Sequence, residues 1–90
     1  MNEINTEYEI NSETNKETEC RFTYHPPCGD QLLRYQFIRK VAKDFAIIIL
    51  SRCPSGPEKV QALINLDQCV MWANASIARR ESQKENNSGN

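Results

Sequence analysis

The chain has 90 residues, of which 39% are hydrophobic, and its mean hydropathy is −0.67. This length suits one small domain and excludes a large multidomain enzyme. No apolar run reaches the roughly 18 to 20 residues of a membrane span, and the N-terminus is too acidic and polar for a secretory signal. We therefore expect a soluble, intracellular protein.

The net charge of −1 conceals a strong asymmetry along the chain. Residues 1–20 carry six acids and one base, a net charge of −5, whereas residues 21–80 carry nine bases and four acids, a net charge of +5. A basic folded core favours an anionic partner, although solvated surface charge is the more common explanation of such a pattern.

Composition divides the chain into three segments. Residues 1–19 form an acidic leader with only four apolar side chains, too few to offset the entropy cost of ordering them, so we expect the leader to be flexible. Residues 81–90 are equally polar and are expected to fray. The folded domain is then predicted over residues 20–80.

The first predicted helix runs from Gln31 to Arg52, a stretch without Gly or Pro, after a turn at Gly29 and an N-cap at Asp30. An apolar stripe at spacings of three and four supports it. Its members are Tyr35, Ile38, Ala42, Phe45 and Ile49.

Pro54 and Gly56 must end this helix, and Ser55 with Glu58 has the spacing of a capping box for a second helix over residues 60–79. Its apolar stripe consists of Leu63, Leu66, Val70, Ala73 and Ile77. Two helices joined by about five residues fold back on each other. The sequence thus predicts an all-α fold, an antiparallel two-helix hairpin preceded by an extended N-terminal strap, residues 21–27.

Apolar side chains outside the two stripes exceed what one hairpin can bury, and a domain of about 60 residues is marginal on its own core. We therefore predict a homo-oligomer. The residues predicted for its interface are Phe37, Val41, Ile48, Met71 and Trp72.

The residues offer little support for catalysis or metal binding. His25 is the only histidine, and the Pro26-Pro27 pair tends to hold it apart from Cys28. The four cysteines contain no C-x-x-C pair, so we interpret them as free thiols and disfavour zinc, although Cys69 remains a possible ligand. We expect a non-enzymatic protein without a metal or another cofactor.

A binding function has more support, because the strap combines aromatic rings, bases and hydroxyls, and a basic row follows it on the first helix. Arginine pairs with phosphate, and nucleobases stack on tyrosine. The predicted ligand-binding residues are Tyr24, His25, Pro26, Arg34, Tyr35, Arg39 and Lys43. The alternative is that Tyr35 belongs to the core and the bases are solvated.

Several of these elements resemble a family of small phage proteins. They are Arg21-Phe-Thr-Tyr-His-Pro-Pro, Gly29-Asp-Gln, Arg34-Tyr35, Ile38-Arg39, Ala42-Lys43, Cys53-Pro54, Glu58-Lys59 and Val70-Met-Trp-Ala-Asn-Ala-Ser-Ile-Ala-Arg79. The family shares a helical hairpin domain with anti-CBASS cyclic-oligonucleotide sponges and with part of the Thoeris anti-defence sponges. The resemblance covers about residues 21–80, and its closing segment is the most specific part.

The resemblance implies that the protein sequesters a cyclic nucleotide immune signal in the host cytoplasm without cleaving it, which blocks CBASS-type effectors. In the best-known branch the sponge is a hexamer that holds cyclic dinucleotides between paired subunits. The residues that match its tyrosine and its basic residue are Tyr24 and Arg39. Because the Tyr-His-Pro-Pro strap departs from that branch, a glycocyclic ADP-ribose is an alternative ligand. A cyclic trinucleotide site is not favoured, since Asn74 and Ala75 stand where some members have an arginine.

Two other functions are compatible with the residues. A protein-interaction module would dock a host or phage partner through the exposed apolar helix faces. DNA binding is weaker, because neither helix concentrates Arg and Asn on one face and the acidic leader repels phosphate. We expect no membrane and no DNA or RNA partner.

Overall fold

The computed structural model describes residues 3–88, with side chains for residues 3–82. Three helices occur in this range: α1 (Ser12–Arg21), α2 (Gln31–Arg52) and α3 (Pro57–Ser88). The part of the chain that the structure describes contains no strand. α2 and α3 pack side by side as the predicted antiparallel hairpin, and α1 packs on α3. None of the described helices is long and apolar enough to cross a membrane.

The bounds of α2 are those predicted. Asp30 occupies the N-cap position, but its side chain makes no capping hydrogen bond and its Oδ1 instead accepts from Arg34 Nε at 3.0 Å. Gly29 supplies the turn with a φ of +56°, a region that favours glycine. At the other end Cys53 is extended, as its position before Pro54 requires.

α3 is longer than predicted at both ends. It begins at Pro57, so Gly56 rather than Ser55 directly precedes it, and Val60 N donates to Gly56 O at 3.3 Å. Proline suits the first helical position because the amide that it lacks has no partner there. Across the turn, Lys59 Nζ of α3 donates to Leu50 O at 2.9 Å and satisfies a carbonyl at the end of α2.

The C-terminal extension of α3 corrects the expectation that the chain frays from residue 81. Helical structure continues to Ser88. Two side chains of α2 hold the carboxylate of Glu81. Arg34 donates to both oxygens of Glu81, at 2.6 and 2.7 Å, and Gln31 Nε2 donates to Oε1 at 2.9 Å. These contacts could not be predicted from the apolar side chains of residues 81–90, because they are polar and join residues about 50 positions apart. Residues 89 and 90 of the predicted tail lie outside the described residues.

α1 is a second correction, because it lies mostly within the leader that we expected to be flexible. Asn11 caps it, with Oδ1 accepting from Thr14 N at 2.8 Å. Polar contacts then dock it on α3: Glu17 pairs with Arg80, and the Cys20 thiol is buried and donates to Arg79 O at 3.3 Å. Residues 3–11 have no helix or strand, and residues 1 and 2 lie outside the described residues.

The hairpin core is sparse. Among the described residues only Cys20, Gln31 and Ile49 are buried, and no side chain is fully enclosed. The predicted stripes face each other with one exception on α2, since Phe45 is 53% exposed and Ala46 takes the inward position. A straight helix drifts from a strict seven-residue repeat, which moves the contact from one residue to the next.

Candidate functional site

A shallow groove of about 380 Å³ runs between α2 and α3. Small and aliphatic side chains form most of its lining, with two bases from α2 and one acid from α3. Its lining residues are Arg39, Ala42, Lys43, Ala46, Leu63, Leu66, Asp67 and Val70. The two alanines on α2 leave the space that larger side chains would fill, so the groove is a consequence of the inward position of Ala46.

The basic row lies partly along this groove. Arg39 and Lys43 are exposed, line the groove, and have no ion-pair partner among the residues that the structure describes. They stand four residues apart on one helix face, about 6 Å along the axis. Tyr35, one turn before Arg39, is half-buried, and this burial raises the pKa of its hydroxyl. The arrangement offers two unpaired cations to an anionic ligand.

Arg34 was predicted to contact ligand, but its guanidinium is engaged within the subunit. It pairs with Glu81 and with Asp30, and the hydrogen bonds to Glu81 raise its pKa further. Arg34 does not line the groove between α2 and α3. Arg34 links α2 to α3 at the end of the hairpin opposite the turn. An anionic ligand that bound Arg34 would have to compete with the carboxylates of Asp30 and Glu81.

In the strap, the aromatic ring of Tyr24 is exposed, whereas the imidazole of His25 is half-buried. Tyr24 is 80% exposed, and Pro26 is also exposed. His25 is half-buried, and its Nε2 donates to the Cys20 carbonyl oxygen at 2.7 Å and lies 3.9 Å from the Cys20 sulfur. The Cys28 thiol meets Gln31 Oε1 at 3.6 Å. His25 therefore anchors the strap to the end of α1, while Tyr24 presents its ring to solvent.

Metal binding has little geometric support in the same region. Among the described side chains, no three histidine, cysteine, aspartate or glutamate residues converge in a group that could hold a metal ion. Cys20 is buried, whereas Cys28, Cys53 and Cys69 are exposed, and all four are free thiols.

A second, smaller groove of about 210 Å³ lies between α1 and α3. It combines one indole ring with three guanidinium groups. The lining residues are Arg21, Trp72, Ala75, Ser76, Arg79 and Arg80. Trp72 was predicted only as an interface residue, and the guanidinium groups of Arg21 and Arg80 beside it were not expected, because the unpredicted helix α1 carries Arg21 to this groove. Asn11, a residue type that commonly caps helices, followed by a segment without Gly or Pro, could have predicted α1.

The predicted interface residues are all exposed in the single subunit. Their exposed fractions range from 49% for Val41 to 67% for Trp72, with Phe37, Ile48 and Met71 between these values. Exposed apolar side chains mark a contact surface when they form a contiguous patch. The predicted set is thus available for association.

Comparison with known proteins gives one result. A family profile described as the Acb2/Tad1 hairpin domain matches residues 14–78, most of the chain. The chain belongs to this family. The Acb2/Tad1 match includes the hairpin and all the predicted site residues, and it begins inside α1, before the folded unit that we expected to start at residue 20. No match is found among curated proteins or among solved structures.

Membership of the Acb2/Tad1 family implies anti-defence sequestration of cyclic nucleotide signals in general. The family is one of binding proteins rather than enzymes.

Proposed function

We propose that this protein is a phage anti-defence sponge that binds a cyclic dinucleotide signal intact in the host cytoplasm and so prevents CBASS-type effectors from being activated. The observation that carries the proposal is the pair Arg39 and Lys43, two exposed cations without an ion-pair partner in the described chain, on the groove of an Acb2/Tad1 hairpin. A phosphodiester is the anion that such a pair neutralises.

Base recognition is assigned to Tyr24, whose ring is 80% exposed at the start of the hairpin. Stacking on an aromatic ring contributes about 1 to 3 kcal/mol per base. Arg39 lies about 12 Å along α2 from the first residue of the helix. A cyclic dinucleotide has two bases and two phosphates, and two facing subunits offer two tyrosines and two copies of Arg39. We place the ligand between paired subunits, as the resemblance to the best-known branch of the family implies.

Assembly is part of the proposal, because the isolated hairpin is sparse. Ile49 is the only aliphatic side chain classed as buried within the described residues. We assign the homo-oligomer contact to Phe37, Val41, Ile48, Met71 and Trp72, with a hexamer as the expected state. Burial of these side chains between copies supplies the apolar area that one subunit lacks.

Retention of an unaltered ligand is the direct test. The purified full-length protein is incubated with a panel of cyclic dinucleotides, cyclic trinucleotides and cyclic ADP-ribose isomers, separated from free ligand, and digested with protease. We expect one cyclic dinucleotide to be released with its mass unchanged. Release of a cleaved product would identify an enzyme, and retention of a cyclic ADP-ribose isomer alone would reassign the ligand.

A second candidate function rests on the same exposed apolar side chains. In a protein-interaction module, Phe37 and Trp72 would dock a partner helix and the basic row would be solvated surface. This alternative predicts capture of a host or phage protein and no retention of any nucleotide in the panel. Retention that depends on Arg39 would exclude it as the main function.

A further inference from the structure

The imidazole of His25 closes a short hydrogen-bonded loop at the end of α1. Its Nε2 donates to the backbone carbonyl of Cys20 at 2.7 Å, so that residues 20–25 form the loop. The last carbonyls of a helix have no partner within that helix, and the Cys20 carbonyl lies in the last turn of α1. Tyr24, whose ring is 80% exposed, is the neighbour of His25 within this loop.

The Cys20 carbonyl is held in place because α1 is docked on α3. The Cys20 thiol is buried and donates to Arg79 O at 3.3 Å, and one turn earlier Glu17 pairs with Arg80. The bond from His25 therefore attaches the strap to a helix that α3 already fixes. Through this bond the position of the strap depends on the docking of α1.

The backbone is restrained on both sides of Tyr24. On the N-terminal side, Phe22 N donates to Thr18 O at 3.1 Å, which caps the end of α1. On the C-terminal side, the His25 side chain is bonded to the same helix. Tyr24 lies between these two hydrogen-bonded positions. A side chain that is ordered before it binds loses less conformational entropy on binding.

The hydrogen bonds leave His25 no role as a base toward the nearby sulfur. A carbonyl oxygen only accepts, so Nε2 carries the hydrogen and cannot take a proton from the Cys20 thiol 3.9 Å away. The thiol in turn is directed at Arg79 O. The His25 ring is half-buried, whereas the Tyr24 ring is exposed. Of the two rings, Tyr24 is the one available for stacking on a base.

We propose that His25 is a positioning residue for nucleotide binding, because its hydrogen bond to the Cys20 carbonyl holds Tyr24 in the orientation that stacks on a base. This inference rests on the proposed function, since it concerns the affinity of the same site. The imidazole itself does not contact the nucleotide. α1 becomes part of the binding apparatus, although it contributes none of the predicted contact residues.

Two amide substitutions separate this role from a direct contact. In His25→Gln, the amide nitrogen is as many bonds from Cα as histidine Nε2 and can donate to the Cys20 carbonyl. In His25→Asn it is one bond nearer, in the position of Nδ1, and falls short. Both variants lack the imidazole, and both replace a half-buried polar side chain by another polar one.

Equilibrium dialysis of the full-length chain against cyclic di-GMP, cyclic di-AMP and cyclic GMP–AMP measures the Kd of each variant. For the dinucleotide that the original chain retains, we expect His25→Asn to raise the Kd roughly 5- to 150-fold, since two subunits each lose one hydrogen bond. His25→Gln should stay within about 3-fold of the original chain, because it keeps the donor.

Fluorine NMR without nucleotide shows whether the effect passes through Tyr24. The tyrosines are replaced by meta-fluorotyrosine, and the Tyr24 resonance is identified by its loss in Tyr24→Phe. We expect this resonance to shift and narrow in His25→Asn, where the ring moves more freely, and to keep its position and width in His25→Gln. Circular dichroism and Trp72 fluorescence verify that the helices and the docking of α1 are retained.

The outcomes are distinct. Equal rises in Kd for both variants would mean that the imidazole itself contacts the nucleotide, and no rise for either would make His25 a cap for α1 only. Each of these results overturns the proposal, as does an unchanged Tyr24 resonance in His25→Asn. In all three cases the original chain still retains a dinucleotide and the proposed function stands. If the original chain retains none of the three dinucleotides, the proposed function fails and the positioning role fails with it.

Discussion

Arg80 and Glu17 are joined across 63 residues of the chain, with Arg80 Nη1 donating to Glu17 Oε2 at 3.0 Å. Arg21, one turn along α1 from Glu17, donates from Nε to the same carboxylate at 2.8 Å. Hydrogen bonds from these two guanidinium groups lower the pKa of Glu17 from 4.5 to about 2. Glu17 thus ties α1 to the hairpin, together with the buried Cys20 thiol that donates to Arg79 O.

Glu17→Gln should loosen the docking of α1 in a pH-dependent way. Because the folded-state pKa lies below the unfolded value, the contribution of Glu17 is present above about pH 4.5 and is lost as the pH falls through about 2. Fluorescence of the single tryptophan, Trp72, reports the docking because it lines the α1–α3 groove. We expect the variant and the original protein to differ at neutral pH and to converge in acid.

Glu13→Gln is the control for this experiment, since Glu13 lies in the first turn of the same helix and is exposed. It removes one acid from α1 without touching the pair with Arg80. An equal change in fluorescence for both variants would mean that the charge of α1, and not the Glu17 contact, controls docking.

Arg39→Ala should remove nucleotide retention and leave the oligomer mass unchanged. A hydrogen bond to a charged group contributes about 1.5 to 3 kcal/mol, and two subunits each lose one, so we expect the Kd to rise roughly 10²- to 10⁴-fold. Equilibrium dialysis of the retained nucleotide measures the Kd. Lys40→Ala is the matched control, because Lys40 is the next base on α2 but pairs with Asp44 outside the groove. Loss of assembly in the Arg39 variant would make Arg39 a structural residue.

Trp72→Ala should reduce assembly before it reduces nucleotide binding. The indole is 67% exposed in one subunit, and a buried interface tryptophan commonly contributes about 2 kcal/mol or more. Native mass spectrometry over a dilution series should show dissociation at higher protein concentration than for the unmodified chain. Leu33→Ala is the control, because Leu33 is also 67% exposed but lies outside the predicted interface. Similar dissociation of the two variants would count against Trp72 as an interface residue.

Ile49→Ala should destabilise the hairpin strongly. Ile49 is 9% exposed, and replacing a buried isoleucine by alanine costs about 2 to 5 kcal/mol. Urea denaturation followed by far-ultraviolet circular dichroism measures the free energy of unfolding. Ile47→Ala on the same helix is the control, since Ile47 is 52% exposed. If both substitutions cost the same, the hairpin has no core at Ile49.

The bounds of α2 were predicted well because the residues at its two ends restrict the backbone themselves. Pro54 cannot continue a helix, Gly29 provides the turn, and the intervening run has no breaker, so the predicted and observed bounds coincide. The ends of α3 were predicted less well. Its start depends on which of Ser55 and Gly56 takes the N-cap, and its continuation past residue 80 depends on a clamp from α2 that no local pattern contains.

The candidate site also has features that local sequence predicts and features that depend on tertiary contacts. The spacing of Arg39 and Lys43 on one helix face follows from the helical repeat and was predictable. The engagement of Arg34 was not, because its partner Glu81 is 47 residues away and was placed in a frayed tail. The α1–α3 groove was also missed, since it exists only where Arg21 and Arg80 are brought to one carboxylate.

The sequence by itself determined the all-α hairpin, the limits of α2 and the order of basic and apolar side chains along it, because helix signals and helical periodicity act within a few turns. The tertiary structure decided the docking of α1, the length of α3 and which bases are free for a ligand. Those features depend on ion pairs and hydrogen bonds between residues 47 to 63 positions apart, and only the folded hairpin brings such residues together.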